Sequence, residues 1–476
     1  MTSTDTLTDA PVPAAPASDE VRDDSYFLHR APVGRALVHL AVPMMAATTV
    51  GVVYNVVNAG FIGALHSTAL LAALTFGLPL TALIMAIAGV FGTGGSSAIA
   101  RLLGELQTDP DEASAAALRT RVRRLSAFTV WGAVLAGVVL AVVGLVLLDP
   151  ITHLLGATGD AFAPTAAYVG VLLGGAPVLV LAFAIEQLVR AEGATRASMT
   201  GIILSTAGNL VLDVVFIVAL GWGVAGAALA IVGSNVIAVA YFVRYLHRHS
   251  PELTMSPRWF RPDRATAVEV FGVGVSELLM MGFLTVTSIV FNRVAAGYGE
   301  GALAAFGLAQ RIVQVPEMLA MGVTLGAMPL LATAFGARAM ARLRAGVTIS
   351  AGWIAAIVAV FALPTLLLRE RLLTLFSADP SVLSTGLLVL AAMLVSTLFN
   401  GFTGLATTTF QATGQAGPAN LMATAQGLLF VPVLLVGNAL FGLVGVIWAL
   451  PVTEVLCFGL AAVLVVLRRR TFTAAA

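Results

Sequence analysis

Long apolar stretches dominate the pattern of hydrophobic and polar positions along the chain. Between about Gly34 and Leu467, twelve stretches of apolar residues alternate with short turns rich in Gly, Asp, Arg or Pro. A helix that crosses the hydrocarbon core of a bilayer needs roughly 20 such residues. The pattern therefore predicts an all-α integral membrane protein with twelve transmembrane helices and little chain left for a soluble domain.

Landmarks in the first half of the chain recur in the second half. The matched pairs stand 232, 232, 232, 221 and 219 residues apart, in the order Ala72 and Ala304, Gly94 and Gly326, Gly104 and Gly336, Gly193 and Gly414, Gly226 and Gly445. A unit of six helices begins and ends on one side of the membrane, so its copy enters in the same orientation. We therefore predict two six-helix bundles related by an axis along the membrane normal, with the substrate route in the cleft between them.

Polarity divides the chain into four segments. Residues 1–32 contain no apolar run, which predicts a disordered cytoplasmic tail and not a signal peptide. The amino-terminal bundle is predicted over residues 33–246 and the carboxyl-terminal bundle over residues 265–470. Residues 247–264 are polar and basic, and we expect them to form a cytoplasmic linker between the bundles.

Composition excludes several ways of driving transport. The chain is 59% hydrophobic and 10% charged, with a mean hydropathy of +0.98, and all 25 of its basic residues are arginine. A phosphate-binding loop of the Walker type and a retinal Schiff base both need lysine, so neither can exist here. Unless a partner subunit hydrolyses ATP, any pumping must be driven by an ion gradient.

The arginines lie mainly in the turns on one side of the predicted membrane. The groups are Arg119, Arg121, Arg123 and Arg124; Arg190 and Arg196; Arg244, Arg248, Arg258, Arg261 and Arg264; Arg338, Arg342 and Arg344; and Arg468 to Arg470. Because short cytoplasmic loops carry the excess of basic residues, both termini are predicted to be cytoplasmic, in a prokaryotic inner membrane. Arg369 and Arg371 are the exception. Basic residues in these positions anchor helices at the lipid surface, and nothing in the sequence indicates a nucleic-acid partner.

An amide and a carboxylate stand four residues apart within the fifth apolar stretch. Asn209 and Asp213 therefore lie on one face of a helix. An aspartate near the bilayer centre costs about 2.5–3.5 kcal/mol on insertion scales, so this face should meet a polar cavity or a partner. Asp213 could exchange a proton, sodium and a cationic substrate, with Asn209 supplying a neutral oxygen to sodium. Alternatively, the carboxylate only joins two helices.

The second half has no aspartate at the position that repeats Asp213, where Pro432 or a neighbour stands. Its polar residues within apolar stretches are Glu277, Gln310, Arg311, Glu317, Asn400, Gln411, Gln426 and Glu454. A second polar site is predicted from Glu277, Gln310 and Glu317. Alternatively, the charged members of this set only anchor helix ends or pair with one another.

Several short motifs follow one another in a characteristic order. They are Ala41-Val42-Pro43, Tyr54-Asn55-Val56-Val57-Asn58, Gly92-Thr93-Gly94-Gly95, Arg190-Ala191-Glu192-Gly193, Asn209-Leu210-Val211-Leu212-Asp213 and Phe410-Gln411-Ala412-Thr413-Gly414. Together, over about Val33 to Arg470, they resemble the multidrug and toxic compound extrusion family, in particular its prokaryotic branch related to the DNA-damage-inducible transporters. The resemblance implies an antiporter that exports organic cations or amphipathic compounds in exchange for protons or sodium. It also implies a V-shaped cleft between two bundles, and no cofactor or partner protein beyond the surrounding lipid.

The same resemblance implies a polar cation site in the amino-terminal bundle. It carries over to Tyr54, Asn209 and Asp213, with Pro43 as a bend in the first helix. Asn58 stands where this branch has an aspartate on that helix. Because an amide cannot carry a proton, the departure puts proton coupling through the first helix in question.

Two further positions depart from the family pattern. Glu186 stands at the position of an asparagine on the fourth helix, and Ile231 at that of a threonine on the sixth. A carboxylate lost at Asn58 and gained at Glu186 would keep two acids near the site if both face one cavity. The alternative is that Glu186 pairs with Arg190 one helical turn later, near the cytoplasmic end.

Other functions fit the sequence less well. A flippase for lipids or lipid-linked oligosaccharides would need a cavity lined with arginines, for which only Arg293 and Arg311 are candidates. A major facilitator transporter would carry an acidic and basic signature after the second helix, where Gly104-Glu105-Leu106-Gln107 stands instead. An enzyme would need a convergent catalytic set, which the sequence lacks. A receptor or scaffold would need neither Asp213 nor the duplication.

Overall fold

The computed structural model describes residues 24–64, 68–108, 110–376 and 380–468, and nearly all of them are helical. The twelve long helices are α1 Val33–Ala64, α2 Thr68–Leu106, α3 Glu112–Val146, α4 Phe162–Ala191, α5 Thr195–Asp213, α6 Gly223–His249, α7 Arg264–Ala296, α8 Glu300–Gly336, α9 Met340–Leu367, α10 Pro380–Ala412, α11 Ala416–Phe441 and α12 Leu443–Leu467. All twelve contain a segment long and apolar enough to cross a membrane. The predicted fold class is confirmed.

Short helical turns connect some of these helices. They are the α-helices Leu148–Leu154 and Arg369–Phe376, the 3₁₀ turns Gly159–Ala161 and Pro257–Trp259, and a π-helical turn, Val214–Ala219, which continues α5. Gly193 and Gly414 follow α4 and α10 with φ of +84° and +69°, a left-handed conformation that glycine adopts without steric cost. These two glycines are one of the pairs that the duplication matches.

Aspartates define where two helices begin on the arginine-rich face. Asp111 Oδ2 accepts a hydrogen bond from Ser114 N at 3.3 Å before α3, and Asp263 Oδ1 accepts one from Thr266 N at 2.7 Å before α7. Each bond satisfies a backbone donor that the first helical turn leaves unpaired. The same bonds lower the pKa of both carboxyl groups, because they favour the ionised form.

Packing between the long helices follows the repeat. In the first half, α2 packs on α4, α5 packs on α6, and α1 packs on α5. In the second half, α8 packs on α10, α11 packs on α12, and α7 packs on α11. The halves meet where α1 lies along α8, α2 lies along α7, and α2 crosses α8.

Glycines allow the backbones of the two halves to approach closely. A Cβ atom on Gly104 would collide with the backbone oxygen of Thr333, and one on Gly336 would collide with that of Arg101. Arg101 and Thr333 are themselves 232 residues apart. The contact between α2 and α8 is therefore reciprocal, which supports the register of the duplication.

Arg101 on α2 extends this contact to two further helices of the second half, α7 and α10. Its Nη1 donates to Ser97 Oγ at 2.5 Å, and Ser97 Oγ donates to the backbone oxygen of Gln411. Its Nη2 lies 3.6 Å from Glu269 Oε1, and Gly414 leaves room for the guanidinium. The contacts at Arg101, Gly104 and Gly336 all lie near the arginine-rich face, so the two halves converge there.

The connection between the halves is packed on α3. Trp131 Nε1 donates to the backbone oxygen of Met255 at 2.9 Å, and Ser126 exchanges two hydrogen bonds of 3.1 Å with the backbone of Thr254. Phe260 stacks on Phe128 with ring centroids 6.0 Å apart. The linker is thus fixed along one helix for part of its length.

A short helix, Asp24–His29, lies within the segment that was predicted to be disordered. Arg342 on α9 donates to the backbone oxygens of Phe27, Leu28 and Ala31 at 2.8, 3.0 and 2.6 Å. The prediction of a disordered tail was therefore wrong for these residues, because a distant arginine satisfies the free carbonyl groups at the end of the helix. Residues 1–23 lie outside the described part of the chain.

The first half also holds this short helix. Asp24 Oδ1 lies 2.8 Å from His39 Nε2 on α1, and the ring of Phe27 stacks on His39 with centroids 3.7 Å apart. Burial, together with the charges of Arg342 and Arg30, lowers the pKa of His29 to about 4. The helix Asp24–His29 consequently touches both halves of the molecule.

Candidate functional site

The last turn of α5 carries the pair of polar residues that the sequence singled out. Asn209 and Asp213 are each only 4% exposed, although neighbouring apolar side chains such as Val211 face outward. Four-residue spacing puts both on the inner face of the helix. The predicted orientation of this pair, away from lipid, agrees with their burial.

Tyr54 brings α1 into the same site. Its hydroxyl donates a hydrogen bond to Asn209 Oδ1 at 2.5 Å and lies within electrostatic range of Asp213. Asn58 follows one helical turn later on the same face of α1 and is half-buried. Pro43 is buried and stands eleven residues before Tyr54 on α1.

Tyr168 on α4 joins the site and was not foreseen. It is buried, it packs against Gly77, and its hydroxyl lies within electrostatic range of Asp213. A tyrosine inside an apolar helix, with a hydroxyl that needs a partner, is a usable sequence signal. Two tyrosines, one amide and one carboxylate from three helices thus lie within electrostatic range of one another.

The backbone changes immediately after Asp213. Residues Val214–Ala219 form a π-helical turn, in which Leu220 N donates to the backbone oxygen of Val215 at 2.9 Å. Single π-helical turns inside α-helices occur frequently at functional sites. The wider turn offsets the rest of this segment from the face that carries Asn209 and Asp213.

Glu186 does not lie beside Asp213. Its Oε1 accepts a hydrogen bond from Ser198 Oγ at 3.0 Å and lies 3.6 Å from Arg190 Nε. Ser198 stands near the start of α5, which places it roughly 20 Å along the helix from Asp213. The expectation that Glu186 replaces the missing acid in this cavity was wrong. Pairing with Arg190, the alternative, is what the structure has.

Glu277 likewise lies apart from the other members of the predicted second site. Gln411 Nε2 on α10 donates to Glu277 Oε1 at 3.1 Å and to Ser276 Oγ at 2.9 Å. A Cβ atom on Gly89 of α2 would stand 2.8 Å from Glu277 Cβ. Glu277 therefore belongs to the contact between the halves near the arginine-rich face, and the predicted grouping with Gln310 and Glu317 was wrong.

Gln310 and Glu317 do come together, but with other partners. Gln310 Nε2 donates to Glu317 Oε2 at 3.4 Å, and Asn400 Nδ2 on α10 donates to Glu317 Oε1 at 3.5 Å. Asn400 stands eleven residues before Gln411, which separates this cluster from Glu277 by roughly 16 Å along α10. Glu454 on α12 lies within electrostatic range of Glu317, a proximity that no sequence spacing indicated.

The donor set around Asp213 suits a proton or a monovalent cation. A carboxylate, an amide oxygen and tyrosine hydroxyls are oxygen ligands, which hard cations prefer. Within the described residues, no cluster of three or more His, Cys, Asp or Glu side chains could hold a metal ion. The arrangement favours reversible binding of one charge over a permanently bound transition metal.

Comparison with known proteins gives one consistent result. The family described as MatE matches residues 43–216 and 278–436. The multidrug export protein MepA of Staphylococcus saprophyticus is 35% identical over 441 residues, covering 93% of this chain and 95% of that protein.

Solved structures agree in fold. An outward-facing multidrug resistance MATE family transporter of the MOP superfamily superposes with a TM-score of 0.84 at 23% identity, over 96% of this chain and 99% of that one. A MATE protein in a straight conformation superposes with a TM-score of 0.85 at 22% identity, with the same coverage of both chains.

Proposed function

Because the chain belongs to the MatE (MATE) family, we propose that it is a secondary active antiporter of a bacterial cell membrane. It exports organic cations or amphipathic drugs in exchange for protons or sodium ions. Members of this family are transporters and not enzymes. The branch related to the DNA-damage-inducible transporters stays a prediction, as do the bounds of the two bundles and the cytoplasmic location of both termini.

One observation supports this function above the others, the buried cluster of Tyr54, Asn209 and Asp213. Asn209 and Asp213 are the two members on α5, and of these only Asp213 carries a charge at neutral pH. A charge buried at this depth must be balanced. A proton, a sodium ion or a cationic substrate can each balance it, but they cannot do so together. Competition for one carboxylate couples the exit of substrate to the entry of the ion.

The converging halves support an outward-open arrangement. The contacts at Arg101, Gly104 and Gly336 close the molecule on the arginine-rich face, which the positive-inside rule assigns to the cytoplasm. The cleft then opens to the opposite side, as in the transporter described as outward-facing. In this state, Asp213 would take up a proton or sodium ion from outside.

Arginine-lined cavities would favour the alternative of a lipid flippase. Arg293 and Arg311 are exposed. However, the polar contact beside Arg311 on α8 joins Gln310 to Glu317, an amide and an acid. Acidic and amide groups suit cationic substrates better than the phosphates of a lipid carrier.

Proteoliposomes that contain the purified full-length chain would test the proposal. Accumulation of a fluorescent organic cation is measured with an outward proton gradient, an outward sodium gradient or neither. We expect accumulation with one of the two gradients, and Asp213→Asn should reduce it to the level of protein-free liposomes. Asp160→Asn is the matched control, because Asp160 is exposed in a connecting turn.

Glu186→Gln distinguishes this proposal from the hypothesis that Glu186 replaces the carboxylate missing at Asn58. Glu186 pairs with Arg190 and Ser198 far from Asp213, so its substitution should leave the choice of driving ion unchanged. Unchanged ion-driven accumulation in Asp213→Asn would contradict the role of Asp213. If only Glu186→Gln abolished the dependence on the ion, the result would support the hypothesis that Glu186 replaces the carboxylate missing at Asn58.

A further inference from the structure

A single charged side chain lies in the last three long helices. The helices α10, α11 and α12 contain no Asp, Glu, Lys or Arg except Glu454, near the middle of α12. Glu454 is 3% exposed, although several of its neighbours on α12 are exposed. An ionised carboxylate at this depth is costly, and such residues in membrane helices usually have a functional role.

The carboxyl group of Glu454 is only half satisfied. Gln426 Nε2 on α11 donates to Glu454 Oε1 at 2.9 Å. Glu454 Oε2 is buried and has no hydrogen-bond partner among the described residues. Thr403 on α10 is 1% exposed, and its hydroxyl lies close to this carboxyl group. Thr403 Oγ1 likewise has no hydrogen-bond partner among the described residues.

A short polar path leads from Glu454 towards Gln310, which is exposed. Asn400 and Thr403 are three residues apart on one face of α10. Thr403 is next to Glu454, while Asn400 Nδ2 bonds to Glu317 Oε1 at 3.5 Å. Glu317 is half-buried on α8 and receives the bond from Gln310 at 3.4 Å. The two carboxyl groups thus belong to one polar cluster, which Gln310 and Gln426 end: Gln310, Glu317, Asn400, Thr403, Glu454 and Gln426.

No positive charge balances this cluster within the described residues. The charged group that acts on Glu454 is Glu317, and no arginine acts on either carboxyl group. On the neighbouring helices, Arg311 of α8 is exposed and Glu277 of α7 is bonded to Gln411. Cys457, on α12 itself, is the remaining titratable neighbour. Two carboxylates that share a desolvated site without a counter-charge do not both ionise.

We propose that Glu317 and Glu454 form a second proton-binding site, in which the pair holds one proton and exchanges it with the cleft through Glu317. A protonated Glu454 Oε2 would gain a donor directed towards Thr403 Oγ1, which satisfies both unpartnered atoms together. The site is made of α8, α10, α11 and α12, so it is separate from Asp213 on α5. Its contribution to transport rests on the proposed antiport, whereas its occupancy by a proton does not.

Infrared spectroscopy of the purified full-length chain in lipid at neutral pH would test the occupancy. The carbonyl stretch of a protonated carboxylic acid is separate from that of a carboxylate and shifts in D2O. A background of Asp213→Asn and Glu277→Gln removes any contribution from these two other carboxyl groups within the helices. In that background we expect an acid band that disappears when Glu454→Gln is added. Glu300→Gln, which removes an exposed acid at the start of α8, should leave the band intact.

Each outcome of this experiment is decisive. A band that survives Glu454→Gln would overturn the proposal, as would the absence of a band before Glu454 is replaced. Loss of the band on addition of sodium chloride, but not choline chloride, would assign the site to sodium and overturn the proton as its ligand. None of these results depends on export, so failure here and failure of the transport assay are distinguishable.

Thr403→Val covers the case in which Glu454→Gln does not fold. It keeps both carboxyl groups but removes the acceptor next to Glu454, so the acid band should move to higher frequency without losing intensity. A band at an unchanged frequency would contradict the predicted contact between the protonated acid and Thr403.

Discussion

The two halves share one helix arrangement, but their buried acids do not occupy equivalent positions. In the first half, Asp213 lies on α5 with Asn209 one turn before it and Tyr54 opposite. In the second half, the repeat puts Pro432 or a neighbour at that place, and the buried acid is Glu454 on α12. Packing was thus retained through the duplication, whereas the ionisable groups diverged.

The counterpart of Glu454 in the first half illustrates this divergence. The spacing of 219 residues matches it with Asn235 on α6, whose Nδ2 donates to the backbone oxygen of Ile231 at 2.9 Å within its own helix. The same position therefore holds an acid that bonds to another helix in the second half, and an amide that bonds only within its own helix in the first half. If each half has one ion site, the sites arose separately on a common scaffold.

The largest expected effect separates the two acids. Asp213→Asn should reduce gradient-driven accumulation to background, whereas Glu454→Gln should lower the accumulated level without abolishing it, because the first site still couples. Steady-state accumulation of a fluorescent organic cation at a fixed proton gradient measures both. Equal residual activity in the two variants would remove the distinction between the sites.

A change at the glycine contact should affect both halves at once. In Gly336→Ala the added Cβ would meet the backbone oxygen of Arg101, and backbone cannot move aside as a flexible side chain does. We expect a loss of about 1–3 kcal/mol in the free energy of unfolding, typical of overpacking. Thermal unfolding in detergent measures it. Gly307→Ala, also in α8, has no atom within 4 Å of the new methyl group and is the matched control.

Tyr54→Phe tests the hydrogen bond in the first site. Loss of the bond to Asn209 should cost about 0.5–1.5 kcal/mol, so half-saturation by the driving ion should need roughly two- to tenfold more ion. Tyr298→Phe provides a matched control, because Tyr298 donates a bond of the same length, 2.5 Å, to Asn438 outside either site. Similar ion affinities in both variants would exclude Tyr54 from the site.

The smallest effect concerns pH and the short helix Asp24–His29. His29 takes up its proton near pH 6.5 in the unfolded chain but at about 4 in the folded chain. As the pH falls from 6.5 towards 4, protons bind the unfolded chain preferentially, so the stability that neutral His29 contributes is lost. The melting temperature should fall less between pH 7 and pH 5 in His29→Gln than in the wild type. His247→Gln, an exposed histidine, should behave as the wild type does.

Much of the fold could be predicted because the bilayer imposes a length on each apolar stretch. The twelve helices follow from that constraint, and the reciprocal contact of Gly104 and Gly336 joins residues that the repeat had already matched. The helix Asp24–His29 could not be predicted, since three bonds from Arg342, more than 300 residues later, satisfy its end.

The first candidate site was partly visible for a similar reason. Asn209 and Asp213 are neighbours on one helix, so their spacing alone puts them on one face. Tyr168 and Glu454 join their sites through contacts between helices, which no local spacing encodes. Of the two alternatives for Glu186, the relocated acid was wrong because the residue stands five positions before the end of α4, near the arginine-rich face, where it pairs with Arg190.

The helix Asp24–His29 has a mechanical consequence for the transport cycle. It is fastened to the second half by the Arg342 guanidinium and to the first half by the pairing of Asp24 with His39. It therefore lies across the two halves on the face where they converge. Any rotation that separated them there would place this short segment under tension, and one of its two attachments would have to yield first. The attachment to Arg342 has three hydrogen bonds, whereas the attachment to His39 has the single pairing with Asp24. The second attachment should therefore break first, and the segment should move together with the second half.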